Sequence, residues 1–257
     1  MIKIGDFVTR NSYNNDIAFE VIDIKDKICY LRGIDFRLEA DSPEEDLKKL
    51  EKKILENDEE YTKRINELIK NDRDEYFYLP GRVLHIDSDK MYLKRCMNFY
   101  KKANVLAFGV NIEEKELGVK LLKYLKEVNP DILIITGHDA YYKKRKENMG
   151  EYKNSDYFIE AVKIARKYEK SNDKLVIIAG ACQSNYEELI KAGATFASSP
   201  KRINIHALDP AIIATTISLS DRNEEVNLID LLSKTKYGKD GIGGLKSRGM
   251  MYVGYPR

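Results

Sequence analysis

The chain has 257 residues, 43% of them hydrophobic, with 44 basic and 42 acidic side chains and a net charge of +2. That length and apolar content suit one large domain, or one with a small appendage, and exclude global disorder. The balanced charge gives no electrostatic ground for a nucleic-acid partner. The opening residues form no apolar signal region and no apolar run approaches bilayer length, so we expect a protein kept inside the cell, away from membranes.

In chain order, residues 1–41 read as a small β module. Strand candidates at 3–9, 17–24 and 28–33 are separated by Asn and Asp turns, which suggests an SH3-like barrel. Ser42-Pro-Glu-Glu45 carries a helix-start signature: Ser42 as N-cap, Pro43 in the first turn and Glu45 closing a capping box. Leu47, Leu50, Ile54, Tyr61, Ile65 and Leu68 then follow three- and four-residue steps among charged neighbours. Residues 42–79 are therefore expected to form a charged amphipathic linker helix, and such an exposed helix leaves a homodimer conceivable.

From residue 80 to 257 strands alternate with helices. Strands are expected at 82–87, 105–110, 131–137, 174–181 and 194–197, and helices at 90–103, 113–128, 155–170, 184–191, from 209 to 220 and from 226 to 232. That alternation implies an α/β fold, a doubly wound, mostly parallel sheet flanked by helices. The glycine-rich tail from Gly241 shows one strand-like piece and no assignable role.

Two apolar runs stand out. Asp131-Ile-Leu-Ile-Ile-Thr-Gly137 leads into His138, and Lys174-Leu-Val-Ile-Ile-Ala-Gly-Ala181 leads into Cys182. Such runs read as strands buried on both faces of a parallel sheet, and ligands bind beyond the carboxyl ends of such strands. An imidazole and a thiol at neighbouring strand ends make a base and a nucleophile. A helix starting near Ser184 would favour the thiolate, and the amides of Cys182 and Asp139 would serve an oxyanion. The separation, 182 − 138 = 44 residues, is close to the roughly 50 of caspases. Cys29 and Cys96 read as packed side chains. The wide, odd spacing of the three cysteines excludes both a disulfide framework and a paired zinc motif.

The blocks Gly81-Arg-Val-Leu-His-Ile-Asp87, Thr136-Gly-His-Asp-Ala-Tyr141, Ala181-Cys-Gln-Ser184 and Ala197-Ser-Ser-Pro-Lys-Arg-Ile-Asn-Ile-His-Ala-Leu-Asp-Pro210 resemble the YabG family of sporulation-specific peptidases. More distantly, they resemble the caspase-hemoglobinase clan of cysteine peptidases. The resemblance implies a caspase-like fold and a His138–Cys182 dyad working through an acyl-enzyme, without metal or cofactor. It also implies protein substrates among spore coat and cortex-related proteins, and a location in the cytoplasm of the sporulating cell or with the spore. In one respect the chain departs from the clan, which has Gly after the histidine where this sequence has Asp139.

Several clan members cut after arginine, and a guanidinium is best read by a buried carboxylate. Asp87, at the end of the first strand, is the first choice for that pocket. Asp89 is second, although it also suits a helix N-cap, with Asp139 and Asp209 behind. Gln183 and His206 are expected to line the cleft, His206 being the alternative base, and His85 to be core or supporting. Ser198 and Ser199 lack a nucleophile-elbow motif. Lys143-Lys-Arg-Lys146 reads as a solvated loop or a self-cleavage point. Two other classes stay open: a non-enzymatic coat-assembly protein docking through its N-terminal module, and a doubly wound binder of small molecules. Against the latter, no Walker A or Gly-x-Gly-x-x-Gly loop is present.

Overall fold

A computed structural model describes residues 2–50, 63, 76–142 and 152–255. The N-terminal strands are β1 (Phe7–Arg10), β2 (Phe19–Lys25), β3 (Ile28–Gly33), β4 (Glu39–Pro43) and β5 (Leu47–Lys49). They form one antiparallel sheet of order β4-β3-β2-β1-β5.

The helix expected to begin at Ser42 does not begin there. Residues 39–43 pair with β3, Ser42 facing Cys29, and residues 47–49 pair with β1. Ser42 caps no helix: its side chain is buried and its hydroxyl donates to Asp46 in the short 3₁₀ turn Glu44–Asp46. Two ladders of backbone hydrogen bonds outweigh a local capping signal of about 1 kcal/mol. Apart from Lys63, the central part of the expected linker helix, 51–75, lies outside the described residues. At its far end Phe77–Leu79 is a strand, β6, paired with the C-terminal Tyr252–Gly254.

The larger sheet contains β7 (Val83–Asp87), β8 (Ala107–Asn111), β9 (Ile132–Thr136), β10 (Val176–Ala179), β11 (Phe196–Ser198) and β12 (Ile242–Gly244), in the order β12-β11-β10-β9-β7-β8. All of its pairs are parallel except β11 with β12. The five parallel strands thus run 2-1-3-4-5, a doubly wound order whose direction reverses between β7 and β9. The connecting helices are α1 (Lys90–Lys102), α2 (Leu117–Val128), α3 (Ser155–Tyr168), α4 (Tyr186–Ala192), α5 (Asp209–Ser218) and α6 (Leu228–Ser233).

Alternation along each strand divides the core in two. Val83, Ile132, Ile134 and Ile178 point into the layer of α1 and α5, which also takes Val8, Phe19 and Leu31 from the antiparallel sheet. Leu84, Leu133, Ile135 and Ile177 point into the layer of α2, α3 and α4. Strands buried on both faces need apolar residues at every position, which is why these runs carry no polar alternation. The glycine-rich tail supplies β12, and among the described residues no helix is long and apolar enough to cross a membrane.

Candidate active site

Strands β9 and β10 pair with Ile135 opposite Ala179. His138 and Cys182 each lie three residues beyond that pair (138 − 135 = 3; 182 − 179 = 3). Both side chains are buried, at 6% and 0% exposure. The register therefore brings imidazole and thiol to one rim, beside the switch point where ligands bind in such sheets.

His138 is held from one side. Its Nε2 lies 3.0 Å from Oδ2 of Asp89, and its ring stands 5.4 Å from that of Tyr92. Its Nδ1 is buried and has no hydrogen-bond partner among the described residues. Asp89 is also the N-cap of α1, its Oδ1 accepting from the Met91 and Tyr92 amides at 2.7 and 3.2 Å. Each oxygen has its own task. Burial alone would raise the Asp89 carboxyl, but the hydrogen bond and charge of His138, with Arg32 Nη1 at 3.3 Å, outweigh it and hold the group below the usual range. Sequence reasoning placed Asp89 in the pocket or at the cap. Its contact with an imidazole 49 residues away left no local signal.

Cys182 sits on the segment after β11: the Ile205 amide donates to Sγ at 3.3 Å, and Sγ lies 3.7 Å from the Ile205 carbonyl. Burial pushes this thiol up to about 12, against the smaller pull of the Ile205 amide and the Arg37 guanidinium. The expected help from a helix N-terminus is overridden, because α4 starts only at Tyr186 and the thiol is fully buried.

Asp139 spreads its carboxylate over the neighbouring loops. Oδ1 accepts from the Ala140 and Asn154 amides at 2.9 and 2.8 Å, and Oδ2 from the hydroxyls of Ser155 and Ser184. Burial raises this carboxyl above its ordinary value in spite of those four bonds.

Asp87 ends β7 fully buried and accepts from Thr136 Oγ1 at 2.8 Å, from the Asp89 amide at 2.9 Å and from Arg37 Nη1. Burial would raise it; the Arg37 guanidinium reverses the sign and holds it well below the carboxylate range. His85 bridges Tyr100 and Thr136 in the core.

His206 is buried, with Nδ1 accepting from the Leu208 amide at 3.2 Å. Burial, with Arg95, Lys236 and Arg37 nearby, pushes it down to about 3, so its ring is neutral. Gln183 adopts a left-handed backbone (φ 60°); its Oε1 accepts from the Tyr141 amide and its Nε2 donates to Asn204, tying the three loops at the rim. Asp209, in the first turn of α5, accepts from the amides of His206 and Lys236. Cys29 and Cys96 are buried, Cys96 beside Arg37 at 3.7 Å. Residues 143–146 lie outside the described residues. Among those described, no three His, Cys, Asp or Glu side chains converge as metal ligands would.

This is an α/β protein with a doubly wound, mostly parallel sheet, gathering a thiol, an imidazole and several buried carboxylates at its carboxyl rim. The family model for YabG peptidase U57 matches residues 3–256, and the chain belongs to that peptidase family. It is 40% identical, across 99% of its own length and 98% of the relative's, to the sporulation-specific protease YabG of Bacillus subtilis (strain 168). The enzyme is a protease.

Proposed function

We propose that the protein is a cysteine endopeptidase of the sporulating cell that cuts after arginine in spore coat and cortex-related proteins. The observation that carries the reading is His138, anchored through Nε2 to Asp89 while its buried Nδ1, at the rim that holds Cys182, has no partner among the described residues. A base needs its other nitrogen fixed to present a lone pair in one direction. The doubly wound order with an antiparallel sixth strand is consistent with the caspase-like relationship.

In this reading His138 takes the Cys182 proton as substrate closes the site. The sulfur attacks the peptide carbonyl carbon, and the imidazolium gives its proton to the departing amine. Water activated by His138 then releases the acyl-enzyme. The amides of Cys182 and Asp139 serve the oxyanion. Asp89 is a positioning residue rather than a pocket residue. Asp87 reads arginine: its buried, ionised carboxylate already holds a guanidinium, with Thr136 fixing Oδ2. Gln183 and His206 shape the cleft walls.

The decisive experiment incubates wild type and Cys182→Ala with spore-coat extract and sequences the new termini. Cuts after arginine with wild type alone are expected. Cutting by Cys182→Ala, or new termini without regard to arginine, would overturn the nucleophile or the specificity respectively.

A further inference from the structure

The guanidinium in the Asp87 pocket belongs to the chain itself. Between β3 and β4 the hairpin tip, residues 34–38, leaves the antiparallel sheet and enters the rim of the parallel one. Three bonds define its shape. The Gly33 amide donates to the Leu38 carbonyl at 2.7 Å, and the Tyr92 hydroxyl reaches the carbonyls of Phe36, at 2.7 Å, and Gly33.

The tip crosses the rim between two walls, meeting each through one isolated β-bridge. Phe36 forms an antiparallel bridge with His206, and Leu38 a parallel bridge with Asp139. Around the first bridge the Ala207 amide donates to the Asp35 carbonyl at 2.8 Å, and the Arg37 amide to the Ile205 carbonyl at 3.4 Å. That same Ile205 holds the Cys182 sulfur. Arg37 therefore passes the thiol with its backbone and sends its side chain inward. The side chain is 0% exposed. Nη1 meets Asp87, Nη2 donates to the Ala207 carbonyl at 2.9 Å, and the guanidinium carbon lies 5.0 Å from the Tyr92 ring centre. Phe36 stacks on Tyr237 at 6.3 Å, at the head of a groove that continues past Gln183 and Asn204.

Docking one sheet on another does not require such a residue. A buried ion pair is a weak stabiliser, and apolar side chains of equal volume hold an interface as well or better. Extended backbone paired to cleft walls, with one side chain in a specificity pocket, is how peptidases and other strand-binding proteins take a peptide.

We propose that the hairpin tip is the enzyme's own occupant of its substrate cleft: Arg37 fills the arginine pocket, Phe36 and Leu38 lie on either side of it, and protein substrates gain the site only when the tip withdraws. This rests on Asp87 being the arginine pocket. It adds that the folded chain is closed to substrate, and that Phe-Arg-Leu is the sequence the cleft accepts.

The test follows Cys182 labelling by an arginyl chloromethyl ketone in wild type, Arg37→Gln and Arg37→Lys, with thermal melts to show that each is folded. Emptying the pocket should raise the labelling rate at least tenfold in Arg37→Gln, and less in Arg37→Lys, since apparent affinity scales with the open fraction. A second measurement needs no variant: hydrogen exchange in wild type, before and after labelling, at the Arg37 and Ala207 amides, which bond across the rim to Ile205 and Asp35. The amides should be protected before and exchange after. Arg37→Gln labelling no faster than wild type, or a tip still protected with the ketone in place, would overturn the proposal. If wild type prefers arginine in peptides and those results are still obtained, the inference fails alone. If no arginine preference exists, the pocket assignment has failed.

Discussion

Replacing Asp89 by Asn separates the two tasks of this side chain. Asn is as good an N-cap as Asp, so acceptance from the Met91 and Tyr92 amides survives through one oxygen. What changes is the atom facing His138 Nε2, now 3.0 Å from a carboxylate oxygen. An amide NH₂ there donates instead of accepting, and the ring must change tautomer or turn. The corresponding change in a serine triad lowers turnover about 10⁴-fold. A thiol leans less on its base, so we expect kcat/KM on an arginyl peptide to fall about 10²- to 10³-fold, equivalent to about 3–4 kcal/mol. The loss should lie in kcat, with a displaced pH profile, because the pocket is untouched. Folding stability should change by less than about 1 kcal/mol, whereas Asp89→Ala should lose about that much more through the cap. Activity within threefold of wild type in Asp89→Asn would refute the positioning role. Loss of arginine preference with kcat intact would return Asp89 to the pocket.

Three further outcomes follow from the same geometry. Iodoacetamide should modify Cys182 in the folded protein far more slowly than in urea, because a thiol pushed up to about 12 has about three orders of magnitude less thiolate than a free one; equal rates by mass spectrometry would contradict the burial. His206, depressed to about 3, favours folding fully above its unfolded pKa of about 6.5, and that contribution is lost as pH falls from there towards about 3, at up to about 1.4 kcal/mol per pH unit. Urea titrations at pH 7 and 4.5 should therefore show a smaller loss in His206→Gln than in wild type, and matching losses would exclude it. Asp87→Asn and Arg37→Gln should each destabilise by about 3–5 kcal/mol by leaving a buried charge alone, while the double variant loses much less than the sum; additive losses would mean that the pair is not coupled.

The inner strands β9 and β10 were legible because burial on both faces demands unbroken apolar runs, and the position of His138 and Cys182 at their ends came with them, whereas the glycine-rich β12 showed no such run. The segment 42–49 was misread because Ser42 and Glu45 carry a strong local signal, whereas the pairing that prevails joins Ser42 to Cys29 and Lys49 to Val8. Nor does sequence show that the one arginine in a five-residue hairpin tip is fully buried. Its partners, Asp87 and Ala207, are 50 and 170 residues away. Asp89 kept its second task hidden for the same reason: one oxygen serves a local rule and the other a distant ring.

The four donors gathered by Asp139 come from the strand end that bears His138, from Asn154 and Ser155, and from Ser184 two residues past the thiol. Tyr141 and Tyr152 are bridged just outside that knot. Ala140 on one side and Asn154 and Ser155 on the other are thus moored, together with the turn that follows Cys182, to a single carboxylate. Loss of that one side chain would therefore free all four donors at once, so the segment bearing His138 and the turn bearing the sulfur share a common anchor.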